Sequence, residues 1–267
     1  MFTIIIAIAC AVIGAYVCTS VFGLDRNVSI CIGIGIFLVL QLLIGLIIRR
    51  KINNITGEIQ TLMEKTQNKL NRQLSFMQTR PISSPKAAQQ VLEKEQNTAL
   101  HKALEITKKA DRYFKWNLLL KRQINTMRMM LYFQLKEFKK VDAMLPGCLI
   151  FDVRSVAIKA VRMYKNQDPY LDKYLAKKCR RFKGDDAVLL YALYSWILVK
   201  QEKYELASAV LAQAKNRLDN PVLNANRENL VNGKIKHFSN ANLGEAWYSL
   251  YLEEPKIKQQ RVVQRGF

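Results

Sequence analysis

The side chains best suited to metal ligation or nucleophilic chemistry are two histidines, His101 and His237, and five cysteines. A metal site on a helix asks for ligands spaced to share a face, as two histidines four apart do. Neither histidine has a second ligand at such a spacing. Cys10, Cys18 and Cys31 fall inside apolar runs, and Cys148 and Cys179 stand alone without a recognisable histidine partner. That usage suits a reducing compartment and gives no disulfide framework. The carboxylate pairs Glu93/Glu95 and Glu253/Glu254 read as solvated faces or helix ends, not as an acid and a base. Gly33-Ile34-Gly35 lies within an apolar run, and no glycine-rich phosphate loop occurs elsewhere. The sequence therefore assigns no catalysis, no cofactor and no metal.

What the residues do favour is contact with anions. Lys177, Lys178, Arg180, Arg181 and Lys183 form the densest basic cluster, and Arg49, Arg50 and Lys51 form a second. The chain holds 42 Lys and Arg against 21 Asp and Glu, a formal charge of +21. Residues 1–48 contain only Asp25 and Arg26, so the whole excess lies beyond them. Cations at a helix C-terminus complement its dipole, and a solvated cap is the first reading of the 177–183 cluster. Anionic lipid head groups or an acidic partner are the second; a cation near such a lipid surface is worth about 1 kcal/mol. Nucleic acid ranks third, because single-strand binders interleave cations with stacking aromatics. Here most aromatics fall on core stripes instead.

The clusters must be placed by the elements around them. Residues 1–24 carry no charge, and 28–48 are again uncharged before Arg49-Arg50-Lys51. A bilayer core about 30 Å thick needs about 20 apolar residues in a helix. Both runs qualify, so residues 1–51 are expected to form a transmembrane hairpin with spans at about 2–24 and 28–48. A secretory signal is the competing reading of the first run, but it has no basic n-region and a second apolar run follows at once. The basic flank after the second span places both termini in the cytoplasm of a plasma membrane, as in a bacterial inner membrane. Small residues recur four apart at Ala7, Ala11 and Ala15, at Cys10, Gly14 and Cys18, at Ser29 and Gly33, and at Cys31 and Gly35. Such ridges pack the hairpin against itself first and offer a homo-oligomer contact second.

Beyond the hairpin, 52–85 reads as a juxtamembrane helical stalk and linker, with Ile52, Ile55, Ile59 and Leu62 on one coiled-coil-like seam whose phase then slips to Met63, Leu70 and Met77, a break in the seam; a helix lying on its own domain is the equal alternative. Pro81 and Pro85 end it. From 86 to 255 every apolar pattern has helical period, and helices are expected at about 152–165, 168–182, 186–201, 204–218, 224–236 and 240–252. A basic tail, 256–267, closes the chain.

An aromatic follows a short polar turn at Phe138, Tyr170, Tyr204 and Phe238, in steps of 32, 34 and 34 residues. Periods of this size signal stacked helical hairpins. From Asp186 to Pro221, Tyr191, Tyr194, Ser195, Leu198, Glu202-Lys203-Tyr204, Ala207, Leu211 and Ala214 alternate large and small side chains. This unit resembles a tetratricopeptide repeat (TPR), and the likeness extends, degenerately, over 120–252. The whole arrangement also resembles bacterial membrane-anchored TPR proteins, one of them associated with haem biosynthesis, although no residue here carries a haem role. The resemblance implies an all-α fold: transmembrane hairpin, stalk, then an α-α superhelical cytoplasmic domain.

The function expected is that of a non-enzymatic, membrane-anchored scaffold that recruits a protein partner in its helical groove. The alternatives are an accessory subunit of a membrane enzyme or envelope-assembly complex, and a membrane-tethered nucleic-acid binder.

Overall fold

The computed structural model describes residues 2–21, 23, 25–79, 85–117 and 119–255. The expected linker around Pro81 and the basic tail 256–267 lie outside the described residues. Among those described, the chain is all-helical, with no strand. It forms two compact units, Met1–Leu149 and Ile150–Phe267.

In the first unit, α1 (Phe2–Ser20) packs against α2 (Arg26–Thr79). The small residues explain how closely they approach. A Cβ on Gly33 would lie 3.0 Å from the Ala11 carbonyl oxygen and 3.2 Å from the Ala15 Cβ. Ser29 and Gly33 are buried in this contact, while Cys31 and Gly35 face outward. The second ridge is therefore not consumed by the hairpin.

The second apolar run and the expected stalk are one uninterrupted helix of 54 residues. At 1.5 Å per residue it is about 80 Å long. The drift of the apolar seam near Leu62 produces no break, because the seam finds partners along its length. Ile48, Ile55 and Ile59 are buried against Leu100, Ala103 and Leu104 of α3 (Pro85–Lys108) and Leu120, Ile124 and Leu131 of α4 (Leu120–Gln134). Burying each of these isoleucine and leucine side chains is worth roughly 1.5–3 kcal/mol. A short helix, α5 (Phe138–Met144), completes this unit, and a 3₁₀ turn at Leu145–Gly147 follows it at the Pro146-Gly147 break.

The second unit is arranged around α8 (Asp185–Lys200). Residues 187–199 contain no charge, and side chains on every face are buried: Ala187, Leu190, Tyr191, Leu193, Ser195, Ile197 and Leu198. A helix apolar all round must be covered all round. It is covered by α6 (Val153–Lys165), α7 (Leu171–Arg181), α9 (Tyr204–Lys215) and α10 (Pro221–Val231). Ser195, Ala207, Leu211 and Ala214 are buried, which lets α8 and α9 lie close. Asn220 caps α10 by accepting hydrogen bonds from the backbone N–H groups of Val222 and Leu223, with Pro221 in the first turn.

The final expected helix, 240–252, does not form as one. The chain makes 3₁₀ turns at Ile235–His237 and Ala241–Leu243, and only a four-residue helix, α11 (Glu245–Tyr248). Tertiary bonds compete successfully here. Asn226 Nδ2 donates to Asn240 Oδ1 at 2.8 Å, and Asn240 Nδ2 donates to the Ala192 carbonyl at 3.1 Å. Trp247 is fully buried, and Gly244 takes a φ of 61° before α11.

One turn recurs in both units. After α4, α6, α8 and α10 the chain enters the left-handed region at Lys136, Gln167, Glu202 and Gly233. Each time the next N–H reaches back five residues: Glu137 to Tyr132, Asp168 to Met163, Lys203 to Leu198 and Lys234 to Asn229. These are Schellman closures. The aromatic period tracks them only loosely. Phe138 and Tyr204 start their helices, Tyr170 is exposed at the head of α7, and Phe238 comes after a 3₁₀ turn.

Candidate lipid-facing and anion-facing surfaces

In the first unit α1 and the first half of α2 turn their apolar side chains outward. Among the described residues, most of the exposed large apolar ones lie before residue 48, among them Ile5, Val12, Ile13, Leu42 and Ile47. Only 11% of the apolar stretch of α1, and 6% of that of α2, is buried within the protein. A core helix of a water-soluble protein would be covered instead, so these two helices are long, apolar and uncovered. Arg49, Arg50 and Lys51 sit on successive positions of α2 just past this surface, all exposed.

The same level of α2 carries a polar seam. Ile44 and Ile52 of α2, and Tyr113, Phe114 and Trp116 from the segment between α3 and α4, pack against the buried cluster that includes Ile48. The Thr3 hydroxyl, in the first turn of α1, donates to the Trp116 carbonyl at 3.1 Å. Arg128 of α4 closes the C-terminus of α3: its guanidinium donates to the Thr107 hydroxyl at 2.8 Å, the Thr107 carbonyl at 3.0 Å and Asp111 Oδ1 at 2.6 Å. Between α2 and α4 a cleft of about 440 Å³ opens, lined by Gly45, Arg49, Asn53, Asn117 and Gln123 over Ile48, Ile52 and Leu120.

In the second unit, Lys177, Lys178, Arg180 and Arg181 end α7, and Lys183 follows it. All but the half-buried Lys178 are exposed. The carbonyl end of α7 is closed by another residue. Arg217 donates to the Cys179 carbonyl at 3.2 Å and the Arg180 carbonyl at 2.9 Å. The cluster is therefore not the only cation answering the helix terminus. Lys159 of α6, invisible to a reading along the chain, joins it. The Lys159 and Lys178 ammonium groups lie 5.2 and 5.4 Å from the centre of the Tyr174 ring. Partial burial, then repulsion from Arg181, Lys159 and Lys177, holds the Lys178 ammonium below the usual lysine range. Burial raises the Tyr174 phenol.

The sequence candidates for chemistry are dispersed. His101 and His237 are exposed on separate elements. Both buried thiols are pushed up by desolvation, Cys148 above its ordinary value and Cys179 to about 12, which disfavours the nucleophilic thiolate. Among the described residues no three His, Cys, Asp or Glu gather where a metal could be held. Glu253 does not behave as a solvated helix end. Its two carboxylate oxygens accept from the Trp196 indole at 2.7 Å and the Trp247 indole at 2.8 Å, while the rings meet edge to face. It clips the segment after α11 onto α8.

Two further clefts mark this unit. One, of about 560 Å³, lies by the turns after α6 and α8, where Lys203 pairs with Asp172 at 3.6 Å. The other, about 460 Å³ and mostly apolar, is formed by Tyr204, Ser208, Ala209, Ala212, Leu230 and Val231 on α9 and α10, with the Glu205 carboxylate as its one charged group among the described residues. No family of known proteins, curated relative or solved structure matches the chain.

Proposed function

We propose that this protein is a membrane-anchored helical scaffold. The observation that carries the reading is α2. Its first half shows an apolar surface with almost no protein cover, and the same helix continues into a packed, water-type core. Lipid is the solvent that suits the first half, since its backbone is satisfied within the helix and its side chains meet acyl chains. The basic residues Arg49, Arg50 and Lys51 orient the hairpin with both ends in the cytoplasm of a bacterial plasma membrane.

In this reading the second unit recruits a protein. The α8–α9 hairpin, with its small residues at Ser195, Ala207 and Ala214, is the TPR-like unit, and the apolar cleft on α9 and α10 receives a helix or extended peptide. The membrane raises the local concentration of the client, and the cleft selects it. The Lys177–Lys183 cluster, with Lys159, faces anionic head groups or an acidic client. No step of chemistry is assigned.

The test is affinity capture of the full-length chain in mild detergent, with and without Ala209→Arg in the cleft. A client retained by the wild type and lost from the variant supports the scaffold. A stable integral-membrane complex that survives the substitution points instead to an accessory subunit. Release of the wild type from membranes by alkaline carbonate would overturn the anchor itself.

A further inference from the structure

We infer that the cleft between α2 and α4 is a binding site for one anionic phospholipid of the leaflet that carries Arg49. The inference rests on the hairpin lying in a bilayer. Three features of the cleft argue for an amphiphile. The rim is polar and cationic: Arg49, Asn53, Asn117 and Gln123 are exposed around it, and no carboxylate lines it. The floor is apolar, made by the buried Ile48 and Leu120 with the half-buried Ile52.

The third feature is a gradient along one helix face. Residues 38, 42, 45, 49 and 53 follow one another at steps of three or four, so they share a stripe of α2. Asn53 and Arg49 head the stripe, Gly45 lies at its middle, and the exposed Leu42 and Leu38 continue it into the apolar span. From Arg49 to Leu38 the helix rises about 16 Å, a span on the order of an acyl chain's length. A phosphodiester at Arg49 would leave its tails lying along Leu42 and Leu38. Free phosphate satisfies only the head of this stripe.

Gly45 opens the passage between head and tail. A Cβ built there meets nothing within 4 Å, so the position is empty space, not a close helix contact. A large side chain at Gly45 fills the cleft without forcing the helices apart. Arg50 and Lys51 flank Arg49 in sequence but do not line the cleft.

The full-length chain, stripped of lipid in detergent, is offered an equal mixture of phosphatidylglycerol and phosphatidylcholine with matched acyl chains. Bound lipid is counted by native mass spectrometry, and a parallel arm adds inorganic phosphate as competitor. The wild type should retain one phosphatidylglycerol per chain in preference to phosphatidylcholine. Arg49→Gln should weaken retention by about tenfold, the loss expected for one charge-assisted hydrogen bond. Gly45→Phe should abolish it, Arg50→Gln should leave it near wild type, and phosphate should not compete. Equal retention by wild type, Arg49→Gln and Gly45→Phe overturns the site. So does equal weakening by Arg50→Gln, which would mean diffuse charge, or displacement by phosphate, which would mean a free-anion site. Carbonate extraction separates the two readings: if all variants stay in the membrane while retention is unchanged, the cleft inference alone fails.

Discussion

The two units solve the same problem, burying helix faces, with different materials. The first uses aliphatic side chains spread along one long rod: Ile48, Ile55 and Ile59 meet Leu100, Leu104, Leu120 and Ile124. The second surrounds a helix with buried side chains on every face and fixes its outer pieces with polar clips: Glu253 between two indoles, and Asn226 and Asn240 against the Ala192 carbonyl. An aliphatic seam tolerates sliding, because its contacts lack direction. Hydrogen-bonded clips do not, because each buried donor or acceptor left unpaired costs about 1–3 kcal/mol. Placement in the second unit should therefore be more sharply specified than in the first.

The strongest way to break that contrast is Trp247→Ala. It removes a fully buried ring and takes from one Glu253 oxygen its indole donor, and large aromatic truncations cost about 3–5 kcal/mol. Hydrogen-exchange protection should collapse through α8 and α10 and stay unchanged in α3 and α4. Loss of protection spread evenly over both units would show the contrast to be false.

Next come the two arginines that close helix C-termini. The Arg128 side chain is only 17% exposed and serves three acceptors, whereas Arg217 is exposed. Arg128→Ala should cost about 2–3 kcal/mol and Arg217→Ala about 1 kcal/mol, read by denaturant titration of the full chain in detergent. Arg128 is the directional clip that the first unit does have, and the reverse order would show that burial does not set what such a clip is worth.

Alkali offers a third measurement. In the unfolded chain the Cys179 thiol ionises near its ordinary value of 9.0, but in the fold burial pushes it up to about 12. Between those values the unfolded chain has lost a proton that the folded chain keeps, so stability present below pH 9 is lost as pH rises. From pH 8 to 10.5 the wild type should lose about 1–2 kcal/mol more than Cys179→Ala. Equal slopes for the two proteins would mean that water reaches this thiol.

The smallest effects concern the repeated turn. Gly233→Ala should cost about 1 kcal/mol from the backbone alone, since a Cβ there touches nothing within 4 Å. Gln167→Gly, at a φ of 55°, should gain a few tenths of a kcal/mol at most, because relief of the turn is offset by greater freedom of the unfolded chain. Thermal melts of the two variants check both signs.

Period and polarity made much of this readable in advance. The two uncharged runs announce α1 and the first half of α2, and the start of α6 at Val153 and of α9 at Tyr204 lies within a residue of the expected bounds. Other features required tertiary partners. In the sequence the period of about 33 residues shows as aromatics, whereas the structure repeats a left-handed turn at Lys136, Gln167, Glu202 and Gly233, where only the last is the residue type that such turns favour. Glu253 looks like any solvated acid until two indoles, one of them 57 positions away, are brought to it. Lys159 lies far from the 177–183 cluster in sequence and close to it across Tyr174. The continuity of α2 was hidden because a drifting seam looks like a break unless the partner helices are known.

That continuity has a mechanical consequence. Residues 26–79 have no proline, and their one glycine beyond the apolar stretch, Gly57, sits mid-helix, so the rod offers no ready joint between its uncovered apolar half and its packed half. From Lys51 to Thr79 it extends about 42 Å, so pivoting the apolar half by about 10° would sweep the far tip about 7 Å sideways. With the hairpin in a bilayer, as proposed, the helix would work as a lever arm, and a thinner or thicker bilayer would be felt at its distal end as displacement.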